Sequence, residues 1–339
     1  MEEQMTSIYK NNLYSKSDEF EQILKYLDLD LSNILKKIPL LTRKRIEEIR
    51  LRIGRPLAIN YDGKDLFLKP NGAITENIYD AYIVNEKNIR NTFQLISNYS
   101  VYAFEEELRN GFITVNGGHR IGITGKVLYR NNNIYTIKEI SSLNIRIARE
   151  KKGVSDKIIK YVIKKPNTIY NTLIVSPPQC GKTTLLRDLI RNLSNGIPRL
   201  NFYGLKIGVV DERTEIAGIY KGYPQNDVGF RTDVLDSCRK FEGMMLLLRS
   251  MSPNIIATDE LGEEKDIVAI HQALKAGVKI ISTVHGESIN DLLTRPYLKQ
   301  ILKENIFERI IILSNRKGVG TVEDIMDGKT YKSIIKKEV

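Results

Sequence analysis

Tryptophan is absent from the 339 residues, and there are only three histidines and two cysteines. Two cysteines, Cys180 and Cys238, cannot build a disulfide framework, and no Cys-x-x-Cys pair offers a zinc site. Reduced thiols in a cytoplasmic protein are the expectation. No apolar run approaches the length that crosses a bilayer. The N-terminal MEEQMTSIYKNN is acidic and polar, unlike a signal peptide. Internal repeats and low-complexity tracts are also missing. What is present is ordinary for a soluble globular chain: 42% hydrophobic and 27% charged residues, in a length that accommodates two domains. The net charge of +11 permits an acidic partner such as nucleic acid or an anionic membrane face. Many lysines, however, lie in mixed-sign stretches such as KDLFLK and KENIFER, which read as solvated surface.

The pattern along the chain changes once. Residues 1–16 read as a frayed end. From Ser17, Phe20, Ile23, Leu24, Leu27, Leu31, Ile34 and Leu35 recur at helical spacing, and Pro39 ends that helix. RKRIEEIRLR predicts a second short helix. PLAINY and KDLFLK flank Asp62-Gly63, a hairpin signal, and a helix follows around NIRNTFQLISNY. FITVN and HRIGITGKVL flank a Gly-Gly turn, and NNNIYTIKEI and LNIRIA predict further short strands. Residues 1–150 are therefore expected to form an α+β domain with antiparallel pairing. The basic stretch REKKGVSDKIIKYVIKKPN carries a linker and the next domain's first helix. In 151–339, the compact runs NTLIV, LKIGVV, NIIATD and VKIISTV alternate with helical segments, which predicts parallel strands, crossover helices and a three-layer α/β domain. FERIIILSN and GVGTVEDIMDGKTYKSI read as edge strands with a hairpin.

The segment Ser176-Pro177-Pro178-Gln179-Cys180-Gly181-Lys182-Thr183 follows the phosphate-loop pattern G-x-x-x-x-G-K-[ST], except that serine stands first. Such a loop turns so that backbone N–H groups face phosphate oxygens. Gly181 permits close approach, Lys182 reaches the β- and γ-phosphates, and Thr183 offers a hydroxyl to Mg²⁺. The helix that begins with Thr183 and Thr184 adds its positive end. A buried strand before the loop and an amphipathic helix after it supply the context the motif requires. The first glycine serves the turn's angles, so a serine with ordinary angles can replace it. ATP and Mg²⁺ are the implied ligands.

Hydrolysis needs a carboxylate at a neighbouring strand end to hold Mg²⁺ or orient water. Asp259 and Glu260 close NIIATDE, and Asp211 and Glu212 follow KIGVV, with Glu215 three residues on. In a parallel sheet these tips share one edge. An acid pair closing an apolar strand is costly unless it is used, which singles out Glu260; with Thr183 it is the candidate Mg²⁺ ligand. His285 ends ISTVH at a third tip. His271 reads as structural, and His119 is uninformative by itself. Arg239 and Arg249 flank the packing helix FEGMMLLL, and Arg249 lies near the start of the acid-tipped strand. Arg120, Arg146 and Arg149 occur in strand-like stretches, where solvated charges and phosphate ligands look alike.

In this order the segments resemble the type II/type IV secretion ATPase superfamily. Its Walker A loop falls on Ser176–Thr183. Its acidic box, Glu-Asp-x-x-Glu, is similar to Asp211-Glu212-Arg213-Thr214-Glu215 with the first two acids exchanged. Its Arg-x-x-x-Pro-x-x-Ile segment matches Arg249, Pro253 and Ile256 ahead of Glu260, and its histidine box falls on Ser282–His285. EEIRLRIGRPL and GFITVNGGHRIGITGKV resemble the sporulation branch of that superfamily. The resemblance implies a RecA-like P-loop domain, a hexameric ring of identical subunits, and ATP bound between the two domains near subunit boundaries. It further implies first-domain arginines that approach the γ-phosphate, here Arg120 and Arg146. Such rings sit on the cytoplasmic face of a membrane complex, in this branch a mother cell–forespore channel assembled from proteins of the same operon. Ser176 and the permuted acidic box are departures that would lower activity without removing nucleotide binding. No tetracysteine zinc module is present.

Three functions fit the sequence: a Mg·ATP-driven motor for a membrane channel, a nucleic-acid-stimulated ATPase, and a nucleotide-gated scaffold that barely hydrolyses. Turnover raised by single-stranded DNA with steep salt dependence marks the second, although no nucleic-acid module is recognisable. Equal phosphate release by wild type and Glu260→Gln marks the third.

Overall fold

A computed structural model describes residues 18–100 and 104–335. The reading of residues 1–16 as frayed, and Ser17 as a helix start, lie outside the described residues. Contacts divide the chain into two units, Met1–Arg149 and Glu150–Val339.

The first unit is built on a seven-stranded antiparallel sheet. Its strands are β1 (Ile46–Arg52), β2 (Ala58–Tyr61), β3 (Lys64–Leu68), β4 (Ile74–Thr75), β5 (Phe112–Val115), β6 (His119–Arg130) and β7 (Asn133–Arg146), in the order β4-β3-β2-β1-β7-β6-β5. Its inner face, with Ile49, Leu51, Ile121 and Ile145, packs with the apolar sides of α1 (Glu19–Leu24), α2 (Leu29–Lys36), α3 (Glu86–Ile96) and α4 (Glu105–Asn110) in one core. Asp62 and Gly63 both take positive φ, as the predicted hairpin requires.

Three local expectations are corrected. The stretch read as one helix from Ser17 to Pro39 is two helices, because Asp28 leaves the helix and caps α2. Its carboxylate accepts from Asp30 N–H (3.1 Å), Asn88 Nδ2 (2.8 Å) and Asn91 Nδ2 (2.7 Å). RKRIEEIRLR contributes the strand β1, which lies between β2 and β7, rather than a helix. A register shift between Ile46 and Glu48 lets Ile46 and Ile49 share the buried face at an odd spacing, and that spacing imitates a helical period. The stretches read as separate short strands are one fourteen-residue strand, β7.

The second unit is a three-layer α/β sandwich. Its sheet contains β8 (Thr172–Ser176), β9 (Ile207–Asp211), β10 (Thr232–Asp236), β11 (Ile255–Thr258), β12 (Lys279–His285), β13 (Arg309–Ser314) and β14 (Thr321–Asp327). The order is β10-β9-β11-β12-β8-β13-β14, parallel except for the last pair. Alternate residues feed two cores. Ile174, Val209, Ala257, Ile281 and Ile311 meet Leu185, Leu186, Leu189 and Leu193 of α5 (Lys182–Asn195). Leu173, Val175, Val210, Ile256 and Ile280 meet α6 (Lys240–Ser250), α7 (Glu264–Lys275) and α8 (Pro296–Lys303). Strands buried on both faces read as unbroken apolar runs, which is why the sequence displayed them. β13 is not an edge strand as expected, since it pairs with β8 and β14 forms the edge. The other edge strand, β10 (TDVLD), carries too little apolar pattern to be found. Parallel pairing brings the ends of β8, β9, β10, β11 and β12 to one side of the sheet, with Ser176 beside His285 and Asp211 beside Asp236.

Candidate functional site

The loop between β8 and α5 collects at that edge. Ser176 is the last, fully buried residue of β8, and its Oγ donates to the Pro177 carbonyl at 2.8 Å. As a strand residue it needs no glycine, which accounts for the serine in the motif's first position. Pro177 is half-buried, Pro178 and Gln179 are exposed, and Cys180 is buried. Gln179 (φ +60°) and Gly181 (φ +85°) make the turn, and Gly181 is the N-cap of α5. Lys182, Thr183 and Thr184 form the helix's half-buried first turn. Its unpaired N–H groups and dipole favour an anion in the bend.

Lys182 Nζ lies 2.5 Å from His285 Nε2 and 3.7 Å from Glu260 Oε2. His285 Nε2 in turn lies 3.3 Å from Glu260 Oε1. Burial pushes the Lys182 ammonium below its ordinary range, and the charges of Glu260, Asp259 and Glu215 oppose that shift. Glu260 follows β11 with φ +30°, a left-handed conformation that is strained for a side-chain-bearing residue. Its N–H donates to Thr283 Oγ1 at 2.9 Å, which fixes the strained residue against β12. Arg213 Nη1 approaches the same carboxylate at 3.3 Å.

Asp259 is buried, and desolvation together with the charge of Asp211 pushes its carboxyl up to about 7. Asp211 is fully buried, and its carboxylate accepts from the N–H groups of Glu215 (2.8 Å), Ile216 (3.0 Å) and Ala217 (2.8 Å). Burial raises its pKa while these donors pull it back. It therefore folds the loop after β9 around itself. Glu212 instead pairs with Lys240 at the start of α6. Glu215 stays half-buried, close enough to act on Lys182, and its backbone carbonyl accepts from Arg187 Nη2 at 2.6 Å.

The sequence-derived arginines of the second unit stand apart from this cluster. Arg239 caps α6 and lines a cavity of about 320 Å³ with Glu212, Lys240, Glu263 and Asp266, on the acidic-box side. Arg249 is exposed in the last turn of α6, which returns the chain to the start of β11, so it lies at the opposite edge of the sheet from Lys182. Within the first unit, Arg120 stacks on the Phe112 ring at 3.6 Å, and Arg146 Nε lies 3.2 Å from Glu48 Oε1. Sequence reasoning gave no role to Arg213 and Thr283, which lie inside the acidic and histidine boxes, and missed Lys240 and Asp236. Asp236 sits beside Asp211 and is pushed up to about 6 by burial. Only its place at the end of β10 could have pointed to it.

Among the described residues, no group of three or more His, Cys, Asp or Glu side chains could hold a metal unaided. Mg²⁺ needs no such cage: it keeps several waters and binds through one or two protein oxygens plus substrate phosphates. The hydroxyl of Thr183 and the carboxylates of Asp259 and Glu260 are hard oxygen donors of that kind, so the residues fit the ion.

A parallel sheet whose lysine-tipped loop faces acids and a histidine near neighbouring strand ends is a RecA-like fold. The pilus retraction motor PilT, solved with bound ADP, matches with a TM-score of 0.54 and 16% identity, over 84% of this chain and 78% of that one. The ATPase DotB of Yersinia pseudotuberculosis matches with a TM-score of 0.53 and 14% identity, over 84% and 76%. Identities this low establish likeness of fold alone. A narrower match comes from sequence. The family described as Sporulation stage III, protein AA matches residues 17–333. Stage III sporulation protein AA of Bacillus subtilis (strain 168) is 43% identical over 306 residues, which is 90% of this chain and 94% of that protein. The chain belongs to the stage III sporulation protein AA family.

Proposed function

We propose that the protein binds Mg·ATP on the loop Ser176–Thr184 and hydrolyses it, as the motor of a membrane channel that operates in sporulation. The observation that carries this reading is the meeting of Lys182, Glu260 and His285, which come from three neighbouring strand ends. Within the site the charge of Lys182 is faced by the Glu260 carboxylate. An incoming triphosphate offers it a denser negative charge and frees Glu260.

The roles then follow from position. The loop's N–H groups and Lys182 hold the β- and γ-phosphates. Thr183, with Glu260 or Asp259, would hold Mg²⁺, which spreads the charge that develops on the phosphate oxygens. Glu260, fixed by Thr283 and neighboured by Arg213, orients the attacking water. His285, 3.3 Å from Glu260 and beside Lys182, senses the γ-phosphate. Asp211 acts as a positioning residue, because its oxygens are engaged by backbone N–H groups. Glu212 anchors the start of α6 through Lys240. The protein assembles as a ring of identical subunits, a hexamer, seated against channel proteins of the same operon. Among the described residues no helix is long and apolar enough to cross a membrane, in keeping with attachment through such partners.

The decisive experiment is Lys182→Ala, read by calorimetric titration with Mg·ATP and by circular dichroism. Lost binding in a folded protein supports the reading, and retained binding removes it. Sizing of the wild type with and without nucleotide tests the ring.

A further inference from the structure

The sheet order gives the phosphate loop two dissimilar flanks. β12 and β11, which bring His285 and Glu260, lie on one side of β8, and β13 and β14 lie on the other. The contacts of Lys182 mark the first side as the one that handles the terminal phosphate. An extended nucleoside triphosphate gripped there must lead its ribose and base away from that side. The element that stands on the other side is the turn 315–320 between β13 and β14.

This turn is docked on the phosphate loop itself. The Gly320 N–H donates to the Cys180 carbonyl at 3.1 Å. A Cβ at Gly181 would lie 3.1 Å from Val319 Cγ1 and 3.2 Å from Gly320 N, so the two loops pack closely there. The turn is also braced across the hairpin: Ser314 Oγ donates to Glu323 Oε1 at 2.5 Å and Arg316 Nη2 to Glu323 Oε2 at 2.9 Å. These bonds, the Ser314 hydroxyl first, hold the Glu323 carboxyl below its usual range. Val319 nevertheless keeps 61% of its surface open. The result is an apolar side chain, fixed against the loop expected to hold phosphates, with one face uncovered.

We propose that Val319 is the platform on which the base of the bound nucleotide rests, so that the turn 315–320 recognises the nucleoside end of the ligand. The inference rests on the reading of Ser176–Thr184 as the triphosphate site and adds the part of the ligand that reading leaves unassigned. An isopropyl group offers apolar contact and no hydrogen bond, so the contact at this position detects a flat base rather than its edge.

The test compares two ligands that differ only in having a nucleoside. Mg·ATP and Mg·tripolyphosphate are titrated calorimetrically into wild type, Val319→Ala and Val319→Leu. A base contact predicts that Val319→Ala weakens ATP about tenfold, the worth of the two methyl groups removed. Tripolyphosphate affinity should stay at the wild-type value, and Val319→Leu should retain ATP binding. Equal weakening of both ligands would overturn the proposal, since the turn would then only prop the phosphate loop. Unchanged ATP affinity in Val319→Ala would overturn it while leaving the triphosphate site intact. Wild-type protein that binds neither ligand would remove both readings together.

Discussion

Lys182 and Glu260 stand on elements separated by a whole strand, yet their ammonium and carboxylate meet at 3.7 Å. β12 lies between them and contributes His285 to the same contact. The meeting is a consequence of parallel pairing: the strands end toward one side of the sheet, where His285 is the last residue of β12, Glu260 follows β11 two residues beyond Thr258, and Lys182 opens α5 after the loop that leaves β8. Glu260 holds its place at φ +30°, a conformation that generic packing would not select.

Glu260→Gln keeps the shape of that side chain and removes its charge. Mg·ATP binding should persist, because the loop and Lys182 remain. Single-turnover phosphate release should fall by about 10²–10⁴, the usual contribution of a positioned general base. Equal release by wild type and variant would identify a nucleotide-gated scaffold instead of a motor.

In the first unit, Asp28 carries a disproportionate structural role. It is 3% exposed and caps α2 while accepting from two asparagines of α3. Asp28→Ala leaves the Asn88 donor buried without its partner, at a cost of about 2–4 kcal/mol including the lost cap. Chemical denaturation read on the first unit checks this; a loss below about 0.5 kcal/mol, the range of ordinary surface changes, contradicts it.

The second unit was more legible in the sequence than the first, and the reasons are local. β8, β9 and β11 are buried throughout, so their residues form short apolar runs that nothing else imitates. β1 was hidden because its bulge brings Ile46 and Ile49 to one face, and the Asp28 break was hidden because Leu24, Leu27 and Leu31 keep helical spacing across it. At the site, the motif pattern found Lys182, and the strand-end rule found Glu260, Asp211 and His285. Neither gave a role to Arg213 or Thr283, although both lie inside the acidic and histidine boxes, because a partner is defined by the fold that brings it near and not by its own spacing. The same limit explains Arg249: its distance along the chain from β11 is short, but α6 ends at the wrong edge of the sheet.

Arg249 therefore provides a negative prediction. It is exposed in the last turn of α6, away from the edge where Lys182 lies. Arg249→Ala should leave the Mg·ATP dissociation constant unchanged and alter stability by no more than about 0.5 kcal/mol. A marked loss of ATP binding in the isolated protein would show that α6 reaches the phosphates by a route this geometry does not provide.

Acid should act oppositely on the two units. His119 is fully buried, its Nδ1 accepts from Ala148 N–H at 3.1 Å, and burial reinforced by Arg149 pushes its pKa down to about 4. An unfolded histidine titrates near ~6.5. Between these values the unfolded chain binds the proton and the folded one does not, so the stability this group confers is present above ~6.5 and lost as pH falls toward 4, by up to about 3 kcal/mol. Asp259 has the reverse sign. Its folded carboxyl titrates near 7 and the unfolded one near ~3.9, so its contribution is present below ~3.9 and lost as pH rises through 7. From pH 7 to pH 5, hydrogen-exchange protection corrected for intrinsic rates should fall in β7 and rise in β11. His119→Asn should flatten the first trend and Asp259→Asn the second. Parallel changes in both strands, or trends untouched by the substitutions, would place the responsible groups elsewhere.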